Sequence, residues 1–234
     1  MSEKTLFGWD WCLASPAICL MRMLKTTVWK LIHWFSSVVD VLADSLLRVK
    51  TSGAIRYESN NSHPVDNQKG NAYDCVSCRY LALFKIVSRL KLNKSDVVYD
   101  IGAGFGRAAF VFSFTAANKV VGLEFEADAV AQFAANRTRF RGNQNKIQIS
   151  KSDATKTILD DATVLFLFNP LRSAGMEAFS ANVEASLERN PRKLKLVYYT
   201  PRHLSSLRKI DGYNEVDRFS TFQKLCVVVE LDRS

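Results

Sequence analysis

The run Val97-Val98-Tyr99-Asp100-Ile101-Gly102-Ala103-Gly104-Phe105-Gly106-Arg107 places an acid at the end of an apolar segment and follows it with three alternating glycines. Glycine is needed where the backbone bends tightly or lies against a ligand, because a Cβ would collide. The next apolar run, Val120-Val121-Gly122-Leu123-Glu124, ends in a second acid about twenty residues on. A carboxylate there can accept hydrogen bonds from both hydroxyls of a ribose. Two acids and a glycine turn at this spacing describe a nucleotide site. The glycines read Gly-x-Gly-x-Gly, with Arg107 where the dinucleotide fingerprint Gly-x-Gly-x-x-Gly has its third glycine. That speaks against a pyrophosphate on the following helix N-terminus. An acid at Asp100 suits a cationic group instead.

The elements that must hold these residues are legible from 71 onward. Apolar runs at Val97–Ile101, Lys119–Glu124, Lys146–Ser150, Thr163–Phe168 and Leu194–Tyr199 read as strands. The first and fourth are nearly continuously apolar, as expected of strands covered on both faces. Helical segments are expected at 106–117, 126–140, 153–160, 173–189 and 201–209. Alternating strand and helix predicts right-handed βαβ units and a parallel sheet, an α/β doubly wound fold. Tyr213–Ser220 and Phe222–Leu231 adjoin without room for a crossover and should pair antiparallel. In an open α/β sheet the ligand binds outside the carboxyl ends of the strands, which is where Asp100, the glycine turn and Glu124 fall.

Asp100-Ile101-Gly102-Ala103-Gly104-Phe105-Gly106-Arg107 resembles the first motif of class I S-adenosylmethionine-dependent methyltransferases. The resemblance spans roughly residues 71–231 and implies a mostly parallel seven-stranded sheet with an antiparallel last strand. It implies S-adenosylmethionine as cofactor. Gly102 and Gly104 would line its methionine part, with Ala103 and Gly106 in the same turn, and Asp100 would hold its amino end. Glu124 would bind the ribose. In Ser150-Lys151-Ser152-Asp153-Ala154, Asp153 matches the residue that faces the adenine amino group; it also suits a helix N-cap. Phe125 is placed either to stack on adenine or to enter the core.

At the end of the fourth strand, Asn169-Pro170-Leu171 is similar to the Asn/Asp-Pro-Pro-aromatic signature of enzymes that methylate planar nitrogens. It departs at Leu171 and Arg172, where the second proline and the stacking aromatic are missing. The resemblance makes Asn169 the residue facing the acceptor, through its side-chain carbonyl; Asn-Pro also ends strands as a plain turn. Several methyltransferases close the cofactor pocket with an aromatic from the region of Tyr73, which makes it a lid candidate. Tyr198, Tyr199 and Pro201 end the fifth strand near the expected acceptor pocket, and His203 lies beside them.

Residues 16–49 read as one helix opening at Ser15-Pro16. Leu24, Val28, Leu31, Phe35, Val38 and Leu42 follow 4,3 spacing on one face, and Arg22, Thr26, Lys30, His33, Ser37, Asp40, Asp44 and Arg48 form a polar stripe. The uncharged run Trp11–Met21 is too short to span a bilayer. The helix therefore packs on its own domain, lies on a membrane surface or meets a partner protein. Residues 51–70 read as a linker, giving a helical extension at 1–50, a linker and a methyltransferase domain at 71–234.

The chain of 234 residues carries a formal charge of +9, which favours anionic partners without naming one. Basic clusters at 189–209 and 137–146 would serve nucleic acid only if they shared a face beside the acceptor mouth. A protein or small-molecule acceptor is therefore favoured over nucleic acid. The five cysteines are too few and poorly spaced for a zinc site; Cys75 and Cys78 form a single CxxC and are expected on a helix. Glu3 and Asp10 interrupt any signal-peptide core, so a cytoplasmic setting with free thiols is expected. The residues thus predict a methyltransferase, acting on a nitrogen acceptor. A methyltransferase-like scaffold without catalysis and an NAD(P)-dependent oxidoreductase are the alternatives.

Overall fold

The computed structural model describes residues 16–55 and 75–234. Tyr73 and Ser15 lie outside the described residues. The chain divides into two compact units between Val38 and Val39. Helix α1, Pro16–Leu47, begins in the first unit and ends in the second. Residues 39–47 of the segment read as an extension therefore belong to the same unit as the sheet.

The second unit is built on a seven-stranded sheet. Its strands are β3 (Val97–Ile101), β4 (Lys119–Glu124), β5 (Ile147–Lys151), β6 (Val164–Phe168), β7 (Lys193–Tyr199), β8 (Tyr213–Thr221) and β9 (Lys224–Asp232). The order is β5-β4-β3-β6-β7-β9-β8. Strands β3 to β7 are parallel, and β9 runs antiparallel to both β7 and β8. The β8–β9 hairpin turns on Phe222 and Gln223, both at positive φ, as the two-residue turns that match strand twist require. A short antiparallel pair, β1 (Ala54–Ile55) with β2 (Cys75–Val76), lies outside the main sheet, at the edges of the segment read as a linker.

Strand order reverses between β3 and β6, since β4 and β5 extend one way and β6 and β7 the other. That switch point opens a crevice at the strand carboxyl ends. The sheet separates two apolar clusters. One gathers α2 (Tyr80–Leu90), α3 (Arg107–Ser113) and Phe133 of α4 (Ala127–Arg139). The other gathers α5 (Ser173–Arg189), with Met176, Phe179, Val183 and Leu187 buried, and Leu207 of the short α6 (Leu204–Leu207). The central strands β3, β4 and β6 are buried on both faces, which is why their sequences do not alternate. Edge strand β8 does alternate, buried and exposed in turn.

Two expectations need correction. Residues 153–160 form turns, not a helix. Asp153 draws the backbone N–H and hydroxyl of Thr155 to Oδ1 and the hydroxyl of Thr157 to its carbonyl, and such local bonds compete with a helix. Cys75 lies in β2 and Cys78 just ahead of α2, so neither is helical. The basic run at 189–209 is largely engaged in the fold: Arg189 pairs with Asp160, and Arg192 donates to the carbonyls of Leu159 and Ala162.

Candidate functional site

Asp100 is the next-to-last residue of β3, and the glycine turn follows. The turn works because glycine accepts positive φ: +72° at Gly102 and +89° at Gly106. A Cβ on Gly106 would fall 2.3 Å from the Phe133 ring, so this glycine lets α3 close down on α4. Gly106 lines neither cavity described below, and its part is to shape the turn. Gly104, at φ +55°, donates its N–H to Glu124 Oε2 at 2.9 Å. Glu124 Oε1 takes the N–H groups of Phe125 and Glu126 at 2.9 and 3.0 Å. Glu124 is thus fixed by three backbone donors across the switch point.

Two adjoining cavities open here. The larger, about 350 Å³, is lined by Asp100, Gly102, Ala103, Gly104, Glu124 and Phe125 on one side. The smaller, about 90 Å³, is lined by Asp153, Ser152, Ala154, Leu171 and Gly175. Gly102, Glu124, Phe125 and Pro170 belong to both. Among the described residues, the cofactor-site residues expected from the sequence all line one or both cavities, Gly106 apart; Tyr73 lies outside the described residues. Phe125 belongs to neither apolar cluster and lines both cavities, so it faces the site and not the core. Asp153 serves its turn through Thr155 and lines the smaller cavity as well.

Burial dominates the electrostatics. Asp100 is only 3% exposed and takes the Ala109 N–H at 3.2 Å. Burial, with the Glu124 charge adding to it, raises its carboxyl from 3.8 to about 7, against the pull of that N–H. Burial also raises Glu124, opposed by its three N–H donors. Asp100 lines the cavity, where a cationic group bound beside it would favour its charged form. The α-ammonium of S-adenosylmethionine would be such a group, and Glu124 between the cavities would meet ribose hydroxyls. The residues present fit that cofactor.

The far side of the larger cavity is lined by Phe166, Phe168, Asn169, Pro170 and Thr200. Asn169 sits at φ +46°, and its Oδ1 accepts a hydrogen bond of 3.3 Å from the Tyr198 hydroxyl. Tyr198 and Tyr199 are themselves fully buried and line neither cavity; the expected aromatic wall is instead Phe166 and Phe168. His203 lies ahead of α6 and lines neither cavity. Thr200 holds φ +59°, and its Oγ1 is buried without a partner among the described residues. Cys78, Arg172, Arg202 and Lys224 complete this end.

Several lining residues carry no sequence signal. Lys224 comes from the β8–β9 hairpin and sits 5.3 Å from the Phe168 ring centroid. Cys78 is a fully buried thiol, pushed up by burial. Arg107 is visible in the sequence only as a missing glycine. It is 4% exposed and donates to Thr51 Oγ1 at 2.6 Å, Ser52 Oγ at 2.9 Å and the Cys78 carbonyl at 3.2 Å. Asp40 and Asp44 of α1 lie 3.3 and 3.5 Å from its guanidinium.

No protein-family model matches the sequence, and no curated protein matches it either. Solved structures do match. One is an RNA methyltransferase from Salinibacter ruber in complex with S-adenosyl-L-homocysteine, 15% identical, with a TM-score of 0.54 over 68% of this chain and 95% of that one. The fold is that of a class I methyltransferase. The precorrin-6y C5,15-methyltransferase from Geobacter metallireducens is 15% identical, with a TM-score of 0.50 over 67% of this chain and 90% of the other. The methyltransferase fold accounts for the strand order and for the crevice at β3, β4 and β6.

Proposed function

We propose that the chain is an S-adenosylmethionine-dependent methyltransferase acting on a nitrogen acceptor. The observation that carries it is the shared wall of the two cavities. Asp100 and the glycine turn line one cavity, Asp153 the other, and Glu124 with Phe125 lines both. That sequence of groups suits an ammonium, a ribose and an adenine in order. Structural similarity to methyltransferases supports the same reading.

When bound, the cofactor supplies an electrophilic methyl group whose sulfur leaves as a neutral thioether. The chain's own residues do the rest. Asp100 holds the ammonium as a carboxylate. Glu124, locked by three N–H groups, has its orientation set before ligand arrives, so little ordering is left to binding. Phe166, Phe168 and Pro170 exclude water from the far side of the cavity. Asn169, oriented by Tyr198, accepts from an acceptor N–H and aims the nitrogen lone pair. Positioning of this kind supplies much of the rate in a bimolecular transfer. At the acceptor end, the described lining residues carry no carboxylate or histidine.

Titration calorimetry with S-adenosylhomocysteine tests the cofactor. Micromolar binding is expected, lost in Glu124→Ala, with NADH inert. Absence of binding by the folded wild-type chain, or equal binding by the variant, overturns the assignment.

A further inference from the structure

The acceptor end of the larger cavity carries one sign of charge. Among the described residues its lining holds two acids, Asp100 and Glu124, and both belong to the cofactor end. Arg107 is the buried partner of Asp40 and Asp44. The other charged residues described in the lining are Arg172, Arg202 and Lys224. They come from three separate elements. Arg172 precedes α5 just after β6, Arg202 follows β7, and Lys224 opens β9. The antiparallel register sets Tyr199 opposite Cys226, so Lys224 lies two residues past the carboxyl end of β7. The three cations therefore share one mouth, and all three residues are exposed.

Further observations point to an anion at this mouth. Helix α5 begins after Arg172 with no acid in its first turn, so no carboxylate of its own offsets the positive end of its dipole. Thr200 lines the same end, and its N–H donates to the Leu225 carbonyl at 2.7 Å, which ties the end of β7 to the residue after Lys224. Its buried hydroxyl has no partner among the described residues, and a hydroxyl here is a ready donor to an oxyanion. Arg172 also stands where the planar-nitrogen signature has its stacking aromatic. A guanidinium in that place exchanges a stacking surface for a planar fork that matches a carboxylate or phosphate. A polynucleotide would need a track of cations continuing past the mouth. The nearby Arg189 and Arg192 are engaged within the fold, by Asp160 and by backbone carbonyls.

We propose that this end of the cavity binds a small-molecule anion, a carboxylate or phosphate, through Arg172, Arg202 and Lys224. On the methyltransferase reading of the site, on which this step rests, the anion is part of the methyl acceptor. The acceptor is then a small amine that carries an acidic group, with its nitrogen at Asn169. The same cations disfavour an ammonium at that nitrogen and so favour the neutral, nucleophilic amine. An acceptor of net positive charge is repelled.

Calorimetric titration of the full chain with inorganic phosphate, at constant ionic strength in chloride and with and without S-adenosylhomocysteine, tests this. Saturable phosphate binding is expected. Arg172→Gln, Arg202→Gln and Lys224→Gln, made singly, should each weaken it about tenfold, the worth of one hydrogen bond to a charged group. All three residues are exposed, so thermal melts should show each variant folded. No saturable phosphate binding by the wild type overturns the proposal, even where S-adenosylhomocysteine binds. Wild-type affinity in all three variants overturns it as well. A short single-stranded RNA that binds more tightly than phosphate, and loses affinity in the same variants, would assign the cations to a polynucleotide and overturn it too. Phosphate binding without S-adenosylhomocysteine binding would refute the methyltransferase reading alone and uphold the anion site.

Discussion

Asp100→Asn should make the ligand-free protein more stable at alkaline pH while removing its cofactor site. The wild-type carboxyl is raised from 3.8 to about 7, chiefly by burial. In the unfolded chain it ionises near its ordinary value. The fold therefore favours the protonated form. That contribution is fully present below about 3.8 and is lost as pH climbs toward 7. At roughly 1.4 kcal/mol per tenfold change in proton affinity, the buried charge costs on the order of 4 kcal/mol above pH 7. Asparagine keeps the shape and an acceptor for the Ala109 N–H, but buries an amide whose remaining groups cost about 1–3 kcal/mol when unpaired. The net expectation is a gain of about 1–3 kcal/mol near pH 8 and a neutral or negative change near pH 4. Urea melts of both proteins across this range measure it. Glu124 is raised in the same direction, so the informative quantity is the difference between wild type and variant at each pH. A variant destabilised equally at both ends of the range would show that Asp100 bears no charge penalty, and the argument would fail. With S-adenosylhomocysteine present, the wild-type Tm should rise more near pH 8 than near pH 5, and the variant's Tm should not rise.

Asp44→Ala should cost about 3–5 kcal/mol in denaturant melts, because it strips a buried acceptor from Thr51, Ser52 and Tyr80 and a counterion from Arg107. Gly106→Ala should lower stability by about 3 kcal/mol through positive φ and collision with Phe133, read as a fall in Tm. Tyr198→Phe should lower kcat severalfold with cofactor affinity unchanged in calorimetry, since it frees Asn169 without touching the ribose or adenine groups.

The glycine turn was readable because its requirement is local: positive φ at 102, 104 and 106 follows from residue type within one segment. Strands β3, β4 and β6 were readable because burial on both faces leaves a continuous apolar run. The 153–160 segment misled because apolar spacing was weak and Asp153, Thr155 and Thr157 bond to one another within the turn. Tyr198 and Tyr199 misled because the end of a strand in sequence does not reveal which of its last residues points into the crevice.

The sequence by itself determined the α/β order and the antiparallel close, and it singled out Asp100, Gly102, Gly104, Glu124 and Asp153, which line the two cavities, since each depends on side-chain type and short-range spacing. Only the tertiary structure decided that Asp40 and Asp44 neutralise Arg107 from more than sixty positions away, that the hairpin delivers Lys224 to the cavity, and that Leu42 and Leu46 of α1 stay exposed. A polar stripe on a helix reads as its solvent face by default. Here a buried guanidinium beside the glycine turn attracts the two acids inward, and Leu42 and Leu46 on another side of the same turns are left exposed.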